Sequence, residues 1–144
     1  MDFNGTFEVS SSKEKVFAYV MDPNKISGCI PGLKEIEVKN SDDYTVVVRA
    51  GISFIKTDFK LHFTVTEKQE PTHAKLQASG TGSGGSLDLV TVMDLSDGEG
   101  GKTVMKWSAN ANVGGKLAGL GQRLMKGQAE KIITQMFDCL KSKL

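Results

Sequence analysis

His62, His73, Cys29, Cys139 and the scattered carboxylates are the residues of this 144-residue chain whose types suit catalysis or metal binding. Acid–base or nucleophilic chemistry needs such groups to converge in one pocket whose surroundings tune them. His62 lies in a run where Phe59, Leu61, Phe63 and Val65 alternate with Asp58, Lys60, His62 and Thr64, which puts the imidazole on the polar side of a strand. By the same alternation His73 is opposed to Ala74, Leu76 and Ala78, while Asp88 and Asp94 are opposed to Leu87, Leu89, Thr91, Met93 and Leu95. No candidate nucleophile adjoins either histidine, so the expectation is a chain that is not an enzyme, with no catalytic residues, metal site or cofactor. The cysteines lie far apart, with no CxxC and no neighbouring histidine cluster. Both read as reduced, half-buried residues rather than zinc ligands or a disulfide.

The stretch GTGSGG from Gly80 to Gly85 superficially suggests a phosphate loop. It lacks a following lysine and joins two strands, whereas a phosphate loop joins a strand to a helix. Its glycines are expected to let the chain bend.

What the pattern turns inward is almost wholly apolar. Phe59, Phe63, Leu76, Leu89, Met93, Met105 and Trp107 alternate toward one side of their strands, together with Ala74, Ala78, Ala109 and Ala111. The small residues leave volume beneath a curved sheet unless larger side chains interdigitate there, and Met93, Met105 and Met125 supply adaptable walls. Thr91 is the inward polar residue of its strand, joined by Tyr44 or Ser53 from less regular segments.

These residues need a sheet and a helix to hold them. Phe3, Gly5, Phe7 and Val9 mark a first strand; Ser11 or Ser12 caps a short helix through Val16, Phe17 and Val20; Asp22-Pro23 starts another that closes at Gly28. Ile30-Pro31-Gly32 makes an apolar turn, and six strands follow as an antiparallel meander. From Gly114 to Leu144, Leu117, Leu120, Leu124, Ile132, Met136 and Leu140 recur at helical spacing, widened by Met125, Ile133 and Phe137. That predicts one amphipathic helix of about 40 Å. Gly114, Gly115, Gly119, Gly121 and Gly127 sit in its first half, each costing roughly 1 kcal/mol relative to alanine. A side-chain-poor start of this kind packs closely on a sheet or leaves room for a ligand.

Residues 1–144 read as a single α+β domain: with 39% hydrophobic content the chain suffices for one core. Eighteen basic against seventeen acidic residues exclude a strongly cationic nucleic-acid binder. The N-terminus has no basic start with an apolar core, and no apolar run is long enough to span a bilayer. A cytoplasmic protein is expected, at most peripheral at the inner face of the membrane.

The order of strand, two short helices, six strands and long helix resembles the helix-grip (START-like, SRPBCC) fold. In that fold a curved seven-stranded antiparallel sheet wraps the C-terminal helix around an apolar cavity. FNGTFEV, DPNKISGCIPGL at 22–33, GTGSGG at 80–85 and SANANVGGKLAGLGQRLM at 108–125 resemble the CoxG family of carbon monoxide dehydrogenase subunits. Relatives with a longer C-terminal extension reach the membrane through it, and a run to Leu144 gives no expectation of such an anchor here.

The resemblance implies binding and transfer of an apolar molecule, a respiratory quinone or other lipid-like compound, in service of a CO-dehydrogenase-type molybdenum hydroxylase. The alternatives are a polyketide cyclase or dehydratase-like enzyme, which the same fold hosts, and an assembly or adaptor factor. The expected ligand-binding residues are Phe59, Phe63, Leu76, Leu89, Thr91, Met93, Met105, Trp107, Ala109 and Ala111 on the sheet, with Leu117, Leu120, Leu124 and Met125 on the helix. The cavity entrance is expected at Ile30, Pro31, Ile52, Phe54, Gly114 and Gly115. Lys116, Arg123 and Lys126 nearby read as ordinary solvated charges or as contacts for anionic headgroups, at about 1 kcal/mol each.

Overall fold

Phe3, Phe7 and Val9 are buried on one face of β1 (Asp2–Val9), an edge strand that pairs antiparallel with β7 (Thr103–Gly114). The computed structural model describes residues 1–52 and 55–144. After β1 the Ser12 hydroxyl accepts from the Lys15 amide and starts α1 (Lys13–Val20). Asp22 caps α2 (Pro23–Ile26) through the Asn24 amide, with Pro23 in the first turn where its missing N–H costs nothing. A 3-10 turn, Ser27–Cys29, leads into β2 (Leu33–Asn40). The meander continues through β3 (Asp43–Ile52), β4 (Ile55–Gln69), β5 (His73–Gly82) and β6 (Gly85–Asp97).

The sheet order is β1-β7-β6-β5-β4-β3-β2, every neighbour antiparallel, so α1 and α2 carry the chain from one edge strand to the other. The sheet curves around α3 (Gln122–Lys143): Met125 packs with Tyr44, Val46 and Phe59 toward one edge, while Phe137 stacks on Phe7 at the other. Gly5 makes room for Trp107 on the neighbouring strand; a Cβ there would lie 3.2 Å from the indole. At the plugged end Thr103, fully buried, donates to the Ser11 carbonyl at 2.6 Å, and the Ser11 hydroxyl donates to the Leu144 carbonyl at 2.6 Å.

Two sequence expectations are corrected. The terminal helix begins at Gln122 and not at Gly114, which is the last residue of β7. Between them run a turn and a 3-10 segment, Ala118–Leu120. Gly115 and Gly121 adopt φ of 76° and 92°, outside the helical region, so the glycines end the periodic pattern instead of weakening a helix. The helix therefore spans about 33 Å, with Leu117 and Leu120 preceding it. The cysteines are the second correction: Cys29 and Cys139 form a disulfide with Cα atoms 5.5 Å apart. The separation of 110 residues hides this contact from any spacing rule, because only the packing of α3 on the 3-10 turn creates it.

Candidate functional site

Two separate packed clusters lie between sheet and helix. One gathers Phe7, Val9, Val16, Phe17, Met93 and Met105 around the short helices and the end of α3 at Leu140. The other gathers Tyr44, Val46, Phe59, Leu61, Leu117 and Met125 at the start of α3.

Between them, pairing across the strands defines two inner rows. One row is Val65, Leu76, Thr91, Ala109 and Phe3; the next is Tyr44, Phe63, Ala78, Leu89 and Ala111. Phe3, Ala78, Leu89, Ala109 and Ala111 belong to neither cluster. Neither do Ile132, Ile133 and Met136, which helical geometry places on the same side of α3 as buried Met125 and Leu140. Leu89 and Ala109 on the sheet and these three side chains on the helix are all only half buried. Half-buried apolar side chains on both sheet and helix contrast with the buried centres of the two clusters. Three small residues, Ala78, Ala109 and Ala111, lie in the two rows.

The expected lining divides accordingly. Leu76, Met93, Met105 and Trp107 pack into the plugged-end cluster, Trp107 edge-on to Phe137 at 5.2 Å between ring centroids. Phe59, Phe63, Leu117, Leu120 and Met125 join the other cluster. Leu89, Thr91, Ala109 and Ala111 lie in the two inner rows and belong to neither cluster. Leu124 is 45% exposed on the outer face of α3, beside an open depression shared with Arg123, Gly127 and Lys131. With Leu117 and Leu120 off the helix, the apolar period restarts at Met125, one residue out of phase with the spacing that included Leu124. Ile132, Ile133 and Met136 carried a helical signal in the sequence but were not assigned to the cavity. The sequence could have indicated them once the helix start was known.

Polar groups at the inner face are few and mostly bonded. Thr91 donates to the Ser108 carbonyl at 3.0 Å. Thr57, 4% exposed, shares a hydrogen bond with the Ser83 hydroxyl at 2.9 Å and accepts from the Gly84 amide at 3.1 Å. Sequence reading missed Thr57, because its inward parity emerges only when β4 is extended back to Ile55. Tyr44 is 6% exposed and stacked on Phe63 at 5.1 Å, and burial pushes its hydroxyl pKa up to about 12.

The histidines point to the outer face. His62 bonds Asp43 at 2.6 Å, and His73 lies between Asp94 at 2.7 Å and Glu67 at 2.9 Å. Asp94 first, then Glu67, holds the His73 imidazole above its usual pKa, and both carboxylates are solvent-exposed.

Of the expected entrance, Ile30 packs with Leu117 and Leu120 in one cluster, so the turn after α2 and the strap before α3, residues 115–121, meet there. Pro31 is half buried beside it, and the Gly32 carbonyl accepts from the Arg49 amide at 2.8 Å, fixing the turn to β3. Gly114 ends β7, Gly115 turns the chain, and the Leu117 amide donates to the Gly84 carbonyl at 3.0 Å. Ile52 closes β3 opposite Ile55; Phe54 lies outside the described residues. Lys116, Arg123 and Lys126 are exposed at this end. No helix among the described residues is long and apolar enough to cross a membrane.

Comparison with known proteins places this geometry. No match was found among curated proteins. Among solved structures, a conserved protein from Geobacillus kaustophilus is 31% identical, with TM-score 0.92 over 99% of this chain and 94% of that one. A START superfamily protein from Mycobacterium smegmatis shares 13% identity at TM-score 0.74, covering 99% of this chain and 95% of that one. The Zhui aromatase/cyclase from Streptomyces sp. R1128 shares 7% identity at TM-score 0.71, covering 99% and 92%. The last two likenesses are of fold: the protein has the START-like fold expected from its element order. The profile of the carbon monoxide dehydrogenase CoxG subunits matches residues 5–144, nearly the whole chain, and the protein belongs to the CoxG family.

Proposed function

We propose that this protein binds and carries an apolar molecule, a quinone or another isoprenoid or lipid-like compound, between its sheet and α3. The observation that carries this reading is the divided core: two packed clusters, with Leu89, Ala109, Ile132, Ile133 and Met136 in neither and only half buried. Such side chains take up an apolar body and offer it few oriented hydrogen bonds. Membership of the CoxG family supports service to a CO-dehydrogenase-type molybdenum hydroxylase, with the ligand passed between membrane and enzyme. Exposed Lys116, Arg123 and Lys126 beside the strap support transient contact with an anionic membrane surface.

Native mass spectrometry of the protein isolated gently from its host, followed by organic extraction, tests this. A prenylated quinone or lipid at near-stoichiometric amount, lost in Ala109→Phe and Ala111→Phe, is the expected result. A protein that carries nothing and takes up no added quinone overturns the carrier reading. Retained support of the partner enzyme by the filled variants would identify an adaptor instead.

A further inference from the structure

Tyr44 is the feature of the inner face that an apolar cavity alone does not account for. Its ring is buried among Val46, Phe59, Leu61, Leu117 and Met125, and its stacking partner in the sheet is a phenylalanine. Phenylalanine would fill the same position without removing a hydroxyl from water, a cost that a hydrogen bond normally offsets. Among the described residues, no sealed polar side-chain atom lacks a partner. The Tyr44 oxygen has no partner among them, so it borders space that a water molecule can reach. The other buried inner-face hydroxyls are committed: Thr57 to Ser83 and Gly84, and Thr103 to the Ser11 carbonyl. Half-buried Thr91 gives its proton to the Ser108 carbonyl. Tyr44 also lies in the inner row that continues through Phe63 to Ala78, Leu89 and Ala111.

Resting on the carrier reading above, we propose that the Tyr44 hydroxyl donates a hydrogen bond to a carbonyl oxygen of the bound molecule, so that the cavity selects carbonyl-bearing prenyl compounds over hydrocarbons of the same shape. A phenol with its pKa raised by burial stays protonated throughout the physiological range, so it acts as a donor and not as a base.

The test uses the full chain and two probes, a short-chain prenylated naphthoquinone and the corresponding prenylated naphthalene. Binding is read by quenching of Trp107, the single tryptophan, for the first and by competition for the second. The wild-type protein is expected to prefer the quinone, and Tyr44→Phe to reduce that preference about fivefold, the effect of one neutral hydrogen bond. Carbon-13 labelling of the tyrosine ring reads the same contact without a variant: the Tyr44 ζ-carbon resonance is expected to move with the quinone and to stay in place with the naphthalene. An unchanged preference in Tyr44→Phe, or a resonance indifferent to the carbonyl, overturns the role of Tyr44 while leaving the carrier reading intact. Failure of the wild-type protein to bind either probe overturns both.

Discussion

Cys29, at the end of the 3-10 turn after α2, and Cys139, in the last turns of α3, are joined across 110 residues of chain with Cα atoms 5.5 Å apart. The bond ties the short helices after β1 to the long helix that the sheet wraps. Cys29 is buried and Cys139 is half buried, so the link also sits within the packed end of the molecule. Closing so long a loop restricts the unfolded chain, and a double Cys→Ser variant is expected to lose about 3 kcal/mol under oxidising conditions. In a reducing cytosol the pair is a dithiol. Urea denaturation with and without reductant separates the two: wild-type protein in reductant should approach the stability of the variant, and equal midpoints in oxidant and reductant would refute the link.

His73 titrates as a bridge between two carboxylates. Both ring nitrogens face acceptors, Nδ1 toward Asp94 and Nε2 toward Glu67, so the imidazolium is favoured and its pKa lies above the ordinary value. A raised folded-state pKa contributes stability that is fully present below the unfolded value of about 6.5 and is lost as pH rises through the folded value. The His73 proton resonances should therefore titrate above those of a free histidine. His73→Gln should flatten the fall in unfolding midpoint over that alkaline window. A His73 midpoint at or below the free value would contradict the geometry.

Leu117 and Leu124 stand seven residues apart in one apolar pattern yet have opposite surroundings. Leu117 is 5% exposed in the cluster with Tyr44 and Met125, whereas Leu124 is 45% exposed on the outer face of α3. Leu117→Ala is expected to cost about 2–3 kcal/mol and to speed release of a bound ligand, because it empties the strap beside Ile30. Leu124→Ala should cost under about 0.5 kcal/mol. Thermal unfolding of the two variants side by side checks this, and equal losses would restore the continuous helix from Gly114.

The number and order of elements were legible in the sequence, because strand alternation, the Ser12 and Asp22 starts and the Ile30-Pro31-Gly32 turn are local signals. The inward parity of Phe59, Leu61, Met93, Met105 and Ala111 followed from the same period of two, and the burial of each agrees with it. Four things were decided only by the tertiary structure. The start of α3 depends on glycines at 115 and 121 taking positive φ, a choice helical spacing cannot reveal. The Cys29–Cys139 contact and the outward turn of Leu124 depend on how α3 lies across the sheet. The division of the core depends on which inward residues meet: Leu89 and Ile132 have equally apolar sequence signals to Leu61 and Met125, yet the first pair is half buried and the second buried. Periodicity reports which way a side chain faces, and packing alone reports whether anything is there to meet it.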